Sequence, residues 1–198
     1  MRYDVAPRGP LQGDITVPGD CRLTLSAMAY SVLCPQPVTI VNPSPDPDVA
    51  LFRDFLEKNG AATFFDTDNG FVITGKGWNQ DIIINGHVPR AVIHIVASSA
   101  VYSGRAVTFL PEHEAETAVM NGTAGYLASL GAGMPDRGLS EGTVTMSGAA
   151  FPSGNRFETS SSWAFEMITA GAMAAGSTVS IGCQTTVVSH STALIAML

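Results

Sequence analysis

Three short stretches gather the residue types that hold small anions. In "VPGDCRLTLSAMAYSVL" (17–33) a Pro-Gly-Asp turn leads from a β-type run into an apolar helix, with Cys21, Arg22 and Thr24 at the helix start. Backbone N–H groups and the macrodipole at such a start favour negative charge. Arg22 adds a guanidinium and Thr24 a hydroxyl. In "INGHVPRAV" (84–92) Gly86 and Arg90 share one short segment, with His87 beside the glycine. In the third stretch Ser160, Ser161 and Ser162 precede an apolar run. Their hydroxyls either donate to a phosphate or cap a helix. Each cation has a plainer alternative: a solvated helix-start residue for Arg22, an ion pair for Arg90, and a capping or solvent role for His87.

Other groups point to chemistry less directly. His113 stands among Glu112, Glu114 and Glu116, but a single imidazole without a His-Glu-x-x-His spacing makes a poor metal site. Cys21, Cys34 and Cys183 have no ligand spacing, and their odd number suits a reducing compartment. No metal and no cofactor is expected. Cys21 stands where a helix start can lower a thiol's pKa, with a packed structural role as the alternative. His94, within "AVIHIVASSAVY", reads as a core or interface residue. His190 reads as a solvated first-turn residue or as a replacement cation.

Composition narrows the class. Of 198 residues, 45% are hydrophobic and only 14% charged, enough apolar mass for a sizeable core. The net charge of −7 argues against a nucleic-acid or acidic-membrane partner, which needs a basic face. The apolar stretches are broken by Ser, Gly and Pro, so no membrane span is expected. The N-terminal "MRYDVAPRGPLQGD" lacks an apolar signal core, and a cytoplasmic location is expected.

The elements that must position these groups recur along the chain. "FLEKNGA" (55–61) returns as "YLASLGA" (126–132), and "VITGKG" (72–77) as "VTMSGA" (144–149). "PVTIVN" (37–42), "AVTFLP" (106–111) and "TVSIGC" (178–183) form a third series at a spacing of about 70 residues. The first unit reads β-α-β-α-β-β: the strand "GDITVPG", a helix ending before Pro35, the strand "PVTIVN", a second helix, then a hairpin turning at Asp68-Asn69-Gly70. The second helix takes Asp48 as N-cap and Gly60 as its C′ residue, with Val49, Phe52, Phe55 and Leu56 on the buried face. The second unit runs from "DIIIN" through helices near 88–103 and 115–130 to "GTVTMSG". The third starts at "NRFETS" and continues through a helix near 161–175, the strand "STVSIGC" and a helix from about Ser189.

The expected class is therefore α/β (α+β), one lobe of three βαβαββ units at about 12–77, 78–149 and 150–198. The third lacks its last two strands. A layer that stops there leaves apolar surface for a further stretch of polypeptide or a partner chain to cover.

Three such units opened by "LQGDITVPGD" resemble the enolpyruvyl transferases, and most closely the 5-enolpyruvylshikimate-3-phosphate synthases, or 3-phosphoshikimate 1-carboxyvinyltransferases. The resemblance continues through "TIVNPSPDPDVALFRDFLEKNGA", "SSSWAFEMITAGAMAAGSTVSI" and "VVSHSTALIAML", and so takes in almost the whole chain. It implies one of two similar lobes of an inside-out α/β barrel, with substrates bound in the cleft between them. It also implies transfer of an enolpyruvyl group from phosphoenolpyruvate to shikimate-3-phosphate, in the chorismate route to aromatic amino acids. An opening strand would belong to the other lobe.

The family's site motifs are only partly present. Its helix-start lysine falls on Cys21 and its arginine on Ser26. Gly86 and Arg90 keep their spacing, with His87 at a threonine position. An Arg-Pro helix start becomes Ala118-Val119, Ser-Ser-Gln becomes Ser160-Ser161-Ser162, and Ser-Lys-Pro-Tyr becomes Ser189-His190-Ser191-Thr192. Three readings follow. The chain is a transferase lobe, inactive without its second lobe; or a non-catalytic descendant that binds another small anion or a protein; or a different transferase with Arg22, His87 and Arg90 as replacement cations.

Overall fold

The computed structural model describes residues 2–5, 14–16, 19–133, 143–152 and 155–183. In chain order the elements are β1 (Arg2–Val5), β2 (Asp14–Thr16), α1 (Cys21–Ser31), β3 (Val38–Val41), α2 (Pro47–Lys58), β4 (Ala62–Thr67) and β5 (Gly70–Gly75). There follow β6 (Ile82–Ile84), α3 (Ile93–Tyr102), β7 (Val107–Phe109), α4 (Glu114–Ser129), β8 (Val144–Met146), β9 (Arg156–Thr159), α5 (Ser162–Ala174) and β10 (Val179–Cys183). The mixed α/β character and the first β-α-β-α-β-β run follow the sequence reading. The expected helix from about Ser189, with His190, lies outside the described residues.

The strands form three sheets, ordered β2-β3-β5-β4, β6-β7-β8 and β1-β10-β9. In each, two strands linked through a helix run parallel (β2 with β3, β6 with β7, β9 with β10) and a further strand lies antiparallel on the second of them. In the third sheet that antiparallel place belongs to β1, paired from Arg2 opposite Gly182 to Val5 opposite Val179. The opening strand belongs to this sheet, where it takes the place that β5 and β8 take in the other two.

Burial divides the helices into two kinds. Every residue of α3 is buried, as are Thr24–Ser31 of α1 and Ala164–Ala172 of α5. α2 and α4 are amphipathic, with Val49, Phe52, Phe55 and Leu56 inward on the one and Met120, Thr123, Ala124 and Leu127 on the other. Described strands such as β3, β6, β7 and β8 alternate between buried and more accessible residues, as sheets with one covered face do. The all-buried helices thus form the centre, and the apolar faces of the sheets close on them.

Small residues let the central helices approach. A Cβ on Gly171 of α5 would lie 2.6 Å from Cδ2 of Tyr102 on α3. Ser98 Oγ on α3 donates to the Met167 carbonyl on α5 at 2.7 Å. Trp78, between β5 and β6, donates from its indole to Ser99 Oγ at 2.8 Å. These polar contacts satisfy groups that burial would otherwise penalise.

One boundary differs from expectation. The N-cap of α2 is Asp46, whose carboxylate accepts from the Asp48 N–H at 3.0 Å, with Pro47 as the first helical residue. Proline favours that position because its missing N–H has no intrahelical partner there. Gly60 ends the helix with φ of 63°, as expected.

Candidate functional site

The starts of α1, α3 and α5, with one face of α4, surround a cavity of about 470 Å³. Its described lining comprises Arg22, Arg90, Ala91, His94, Ala118, Val119, Gly122, Thr123 and Trp163. The structure thus brings together Arg22 and Arg90, two of the cations singled out in the sequence. Arg90 is exposed and has no ion pair among the described residues. Ala118, Val119 and Gly122 give α4 a flat apolar wall, and Trp163 adds an indole braced edge-on by Tyr126 at 5.1 Å between ring centroids.

Behind this opening lies an ionic cluster that takes one residue from each central helix. Glu166 of α5 is 2% exposed. One of its carboxylate oxygens meets Nε2 of His94 on α3 in a very short contact, and the other lies 3.5 Å from Nη2 of Arg22 on α1. Tyr30, also on α1, donates from its hydroxyl to the Glu166 carbonyl at 3.2 Å. Burial first, and then the negative charge of Glu166, hold the Tyr30 phenol well above its ordinary range, so it stays a neutral donor. A buried carboxylate needs such partners, since an unpaired charge there costs several kcal/mol.

The other predicted residues lie elsewhere. Thr24 is fully buried; its hydroxyl donates to the Asp20 carbonyl at 2.8 Å and accepts the Ser44 N–H at 3.0 Å. It ties the first turn of α1 to the loop after β3. The Gly86 N–H faces Glu112 Oε1 at 3.4 Å, so a carboxylate of the protein occupies the place of an anion. Glu116 in turn accepts the Glu112 N–H at 2.9 Å. Two members of the acidic group around His113 therefore bind backbone.

His87 is exposed beside Asn85 and lines a second cavity, with Asp54, Lys58 and Asp81, apart from Arg22 and Arg90. Ser161 is the N-cap of α5 without a side-chain capping bond, Ser162 is the first helical residue, and Ser160 is exposed before them. Of this segment only Trp163 is among the described lining of the larger cavity.

Cys21 does not have the activated thiol that a helix start can confer. Burial, followed by the charges of Asp46, Asp48 and Asp20, raises its pKa. Sequence reasoning also missed Glu166 and the pairing of His94. The signal was present as one carboxylate in the otherwise apolar "WAFEMITAGAMAA" and one imidazole in "AVIHIVASSAVY". A titratable group isolated in a buried helix requires a partner from another element.

Arrangement and architecture together define an α/β lobe with a cationic, apolar-walled pocket at converging helix starts. No family model and no curated protein matches the sequence. Solved structures do match. The enolpyruvyl transferase NikO from Streptomyces tendae superposes with a TM-score of 0.52 at 13% identity, over 80% of this chain and 38% of its own. EPSP synthase from Acinetobacter baumannii superposes with a TM-score of 0.55 at 17% identity, over 86% of this chain and 40% of its own. The chain has the fold of these enolpyruvyl transferases and spans about two-fifths of their length. Among the described residues no helix is long and apolar enough to cross a membrane.

Proposed function

We propose that this chain is the small-anion-binding lobe of an enolpyruvyl-transferase-like protein, with the pocket of Arg22, Arg90, His94 and Trp163 as its ligand site. The observation that carries the reading is that Arg22 and Arg90, from different units of the sequence, line one cavity of about 470 Å³. Two guanidiniums suit a phosphate or carboxylate, and Trp163 with the α4 wall suits an apolar or ring-shaped body. Shikimate-3-phosphate and phosphoenolpyruvate have this chemistry, in keeping with the titles of the structures that share the fold. Turnover would need a second lobe of the same kind across the pocket, in a cytoplasmic protein of the chorismate route.

A non-catalytic descendant is the second reading, and the apolar α4 wall favours it. Ala118 and Val119 put no charge where a transferase of the resembled kind would place an arginine, and Glu112 covers the Gly86 N–H. Thr24, Gly86, His87 and the three serines are no part of the proposed ligand shell in either reading.

Calorimetric titration of the protein with shikimate-3-phosphate, then phosphoenolpyruvate, tests the first reading. Binding is expected to weaken about tenfold in Arg90→Ala, the loss of one charge-assisted contact. Binding of neither ligand, with inorganic sulfate still bound, would favour the non-catalytic reading.

A further inference from the structure

Trp163, the second residue of α5, lines the cavity and is 39% exposed. Tyr126 of α4 meets its indole edge to face, with ring centroids 5.1 Å apart and the planes at 73°. Such a contact favours one orientation of the ring before a ligand arrives, so less rotamer freedom is lost on binding.

Gly122 shapes the wall that α4 contributes to the same cavity. A Cβ built on it would meet no heavy atom of the described residues within 4 Å, so no packing there requires a glycine. A glycine inside a helix weakens it relative to alanine. Here its missing side chain leaves open space, and with Ala118 beside it the wall has no large projection. Polar groups in the lining are few. Apart from the two guanidiniums and the indole N–H, the described polar side chains are His94 and Thr123, both buried. His94 Nε2 meets Glu166, and the Thr123 hydroxyl donates to the Val119 carbonyl at 2.8 Å. A hydroxylated ligand would bring donors and acceptors to a surface with few groups to receive them, and polar groups buried unpaired weaken binding. A planar aromatic ring brings none.

We propose that the ligand of this pocket is a small aryl phosphate, its phosphate held by Arg22 and Arg90 and its ring stacked on Trp163 along the Gly122 wall. The inference rests on the anion-binding reading above and names the body of the ligand. Two guanidiniums match the charge and the oxygens of a phosphate monoester. A cavity of about 470 Å³ is of the size that takes small molecules. Trp163 and Gly122 then determine specificity: one supplies the stacking face, the other the room for a flat body.

Calorimetric titration of the protein compares sulfate, phenyl phosphate, cyclohexyl phosphate and myo-inositol 1-phosphate. Sulfate has the charge and no body. The last two carry puckered six-membered rings, bare in one and hydroxylated in the other. Phenyl phosphate is expected to bind about fivefold more tightly than cyclohexyl phosphate, the effect of one aromatic contact. myo-Inositol 1-phosphate is expected to bind less tightly than either. Trp163→Leu keeps apolar bulk and should abolish the preference for phenyl over cyclohexyl. Gly122→Leu puts a side chain into open space and should weaken phenyl phosphate about tenfold relative to sulfate. Circular dichroism checks that each variant is folded, and a ratio of two ligands within one variant is insensitive to a partial loss of folded protein.

Equal binding of phenyl and cyclohexyl phosphate by the unaltered protein would overturn the inference, as would tightest binding of myo-inositol 1-phosphate. So would a Trp163→Leu variant that keeps the preference, or a Gly122→Leu variant that keeps the parent's ratio of phenyl phosphate to sulfate. Each of these results leaves the anion-binding reading standing, provided that sulfate binds and Arg90→Ala weakens it. Binding of none of the four probes would overturn both.

Discussion

Arg22 Nη2 lies 3.5 Å from Glu166 Oε1 although 144 residues separate the two in the chain. With His94 added, one carboxylate joins α1, α3 and α5, the helices that form the centre. The apolar contacts around it would tolerate small slides of one helix on another. The cluster is directional, and it sets the relative rotation of the three helix starts that line the pocket. Removing its centre should therefore disturb more than a local contact. Glu166→Ala is expected to cost about 3 kcal/mol, since it leaves His94 buried without its partner. Urea unfolding followed by circular dichroism measures this. A loss below about 1 kcal/mol would show that the cluster contributes little to stability.

Thr24 provides a separate test of structure against ligand binding. Its hydroxyl accepts the buried Ser44 N–H at 3.0 Å. Thr24→Val keeps the shape and removes that acceptor, so about 1–3 kcal/mol of stability should be lost. Affinity for a small anion should be unchanged in the folded fraction. A variant as stable as the parent that binds sulfate weakly would return Thr24 to the ligand shell.

Local chemistry was legible and non-local pairing was not. The buried face of α2 (Val49, Phe52, Phe55 and Leu56) follows from helical spacing, and the β4–β5 hairpin from Asp68-Asn69-Gly70. Arg22 and Arg90 could be singled out because each stands in a local anion-binding pattern. The His94–Glu166 contact spans 72 residues, and no periodicity encodes which buried carboxylate meets which buried imidazole. The same holds for β1, whose place beside β10 is a pairing across nearly the whole chain. Gly86 was misleading for a different reason: its spacing to Arg90 was readable, but the carboxylate that covers its N–H comes from Glu112, beyond α3.

The corrected cap of α2 can be checked by contrast. Asp46 accepts the Asp48 N–H at 3.0 Å, and Asp48 lies exposed in the first turn. Asp46→Ala should cost about 1 kcal/mol through the lost cap. Asp48→Ala loses only its favourable place near the positive end of the helix, about 0.3–0.5 kcal/mol. Thermal melts of the two variants side by side give the order, and a reversed order would restore Asp48 as the cap.

The two thiols among the described residues, Cys21 and Cys34, should be unreactive in a defined order. Burial pushes the Cys34 thiol up to about 11, and burial with the neighbouring aspartates raises that of the half-buried Cys21. The thiolate is the nucleophile, so near neutral pH both should alkylate more slowly than a free thiol, Cys34 slowest. Their rates should climb as pH rises towards those raised values. Peptide-resolved mass spectrometry after iodoacetamide treatment follows each cysteine separately. Rapid labelling of Cys21 at pH 7 would show a lowered pKa instead and reopen a chemical role for it.

Gly171 tests the approach of α5 to α3, on which the pocket geometry depends. A Cβ there would lie 2.6 Å from Cδ2 of Tyr102 and 2.8 Å from Cε2 of Phe151. The two rings stack edge to face at 4.9 Å, so neither can withdraw without losing the other. Gly171→Ala improves helix propensity by about 0.8–1 kcal/mol, which alone would stabilise the protein. Overpacking of a filled core costs about 1–3 kcal/mol. The clash should win, with a net loss of about 1 kcal/mol or more in urea unfolding. A stabilised Gly171→Ala variant would mean that the two helices have room to separate, and that the cluster at their starts does not hold them.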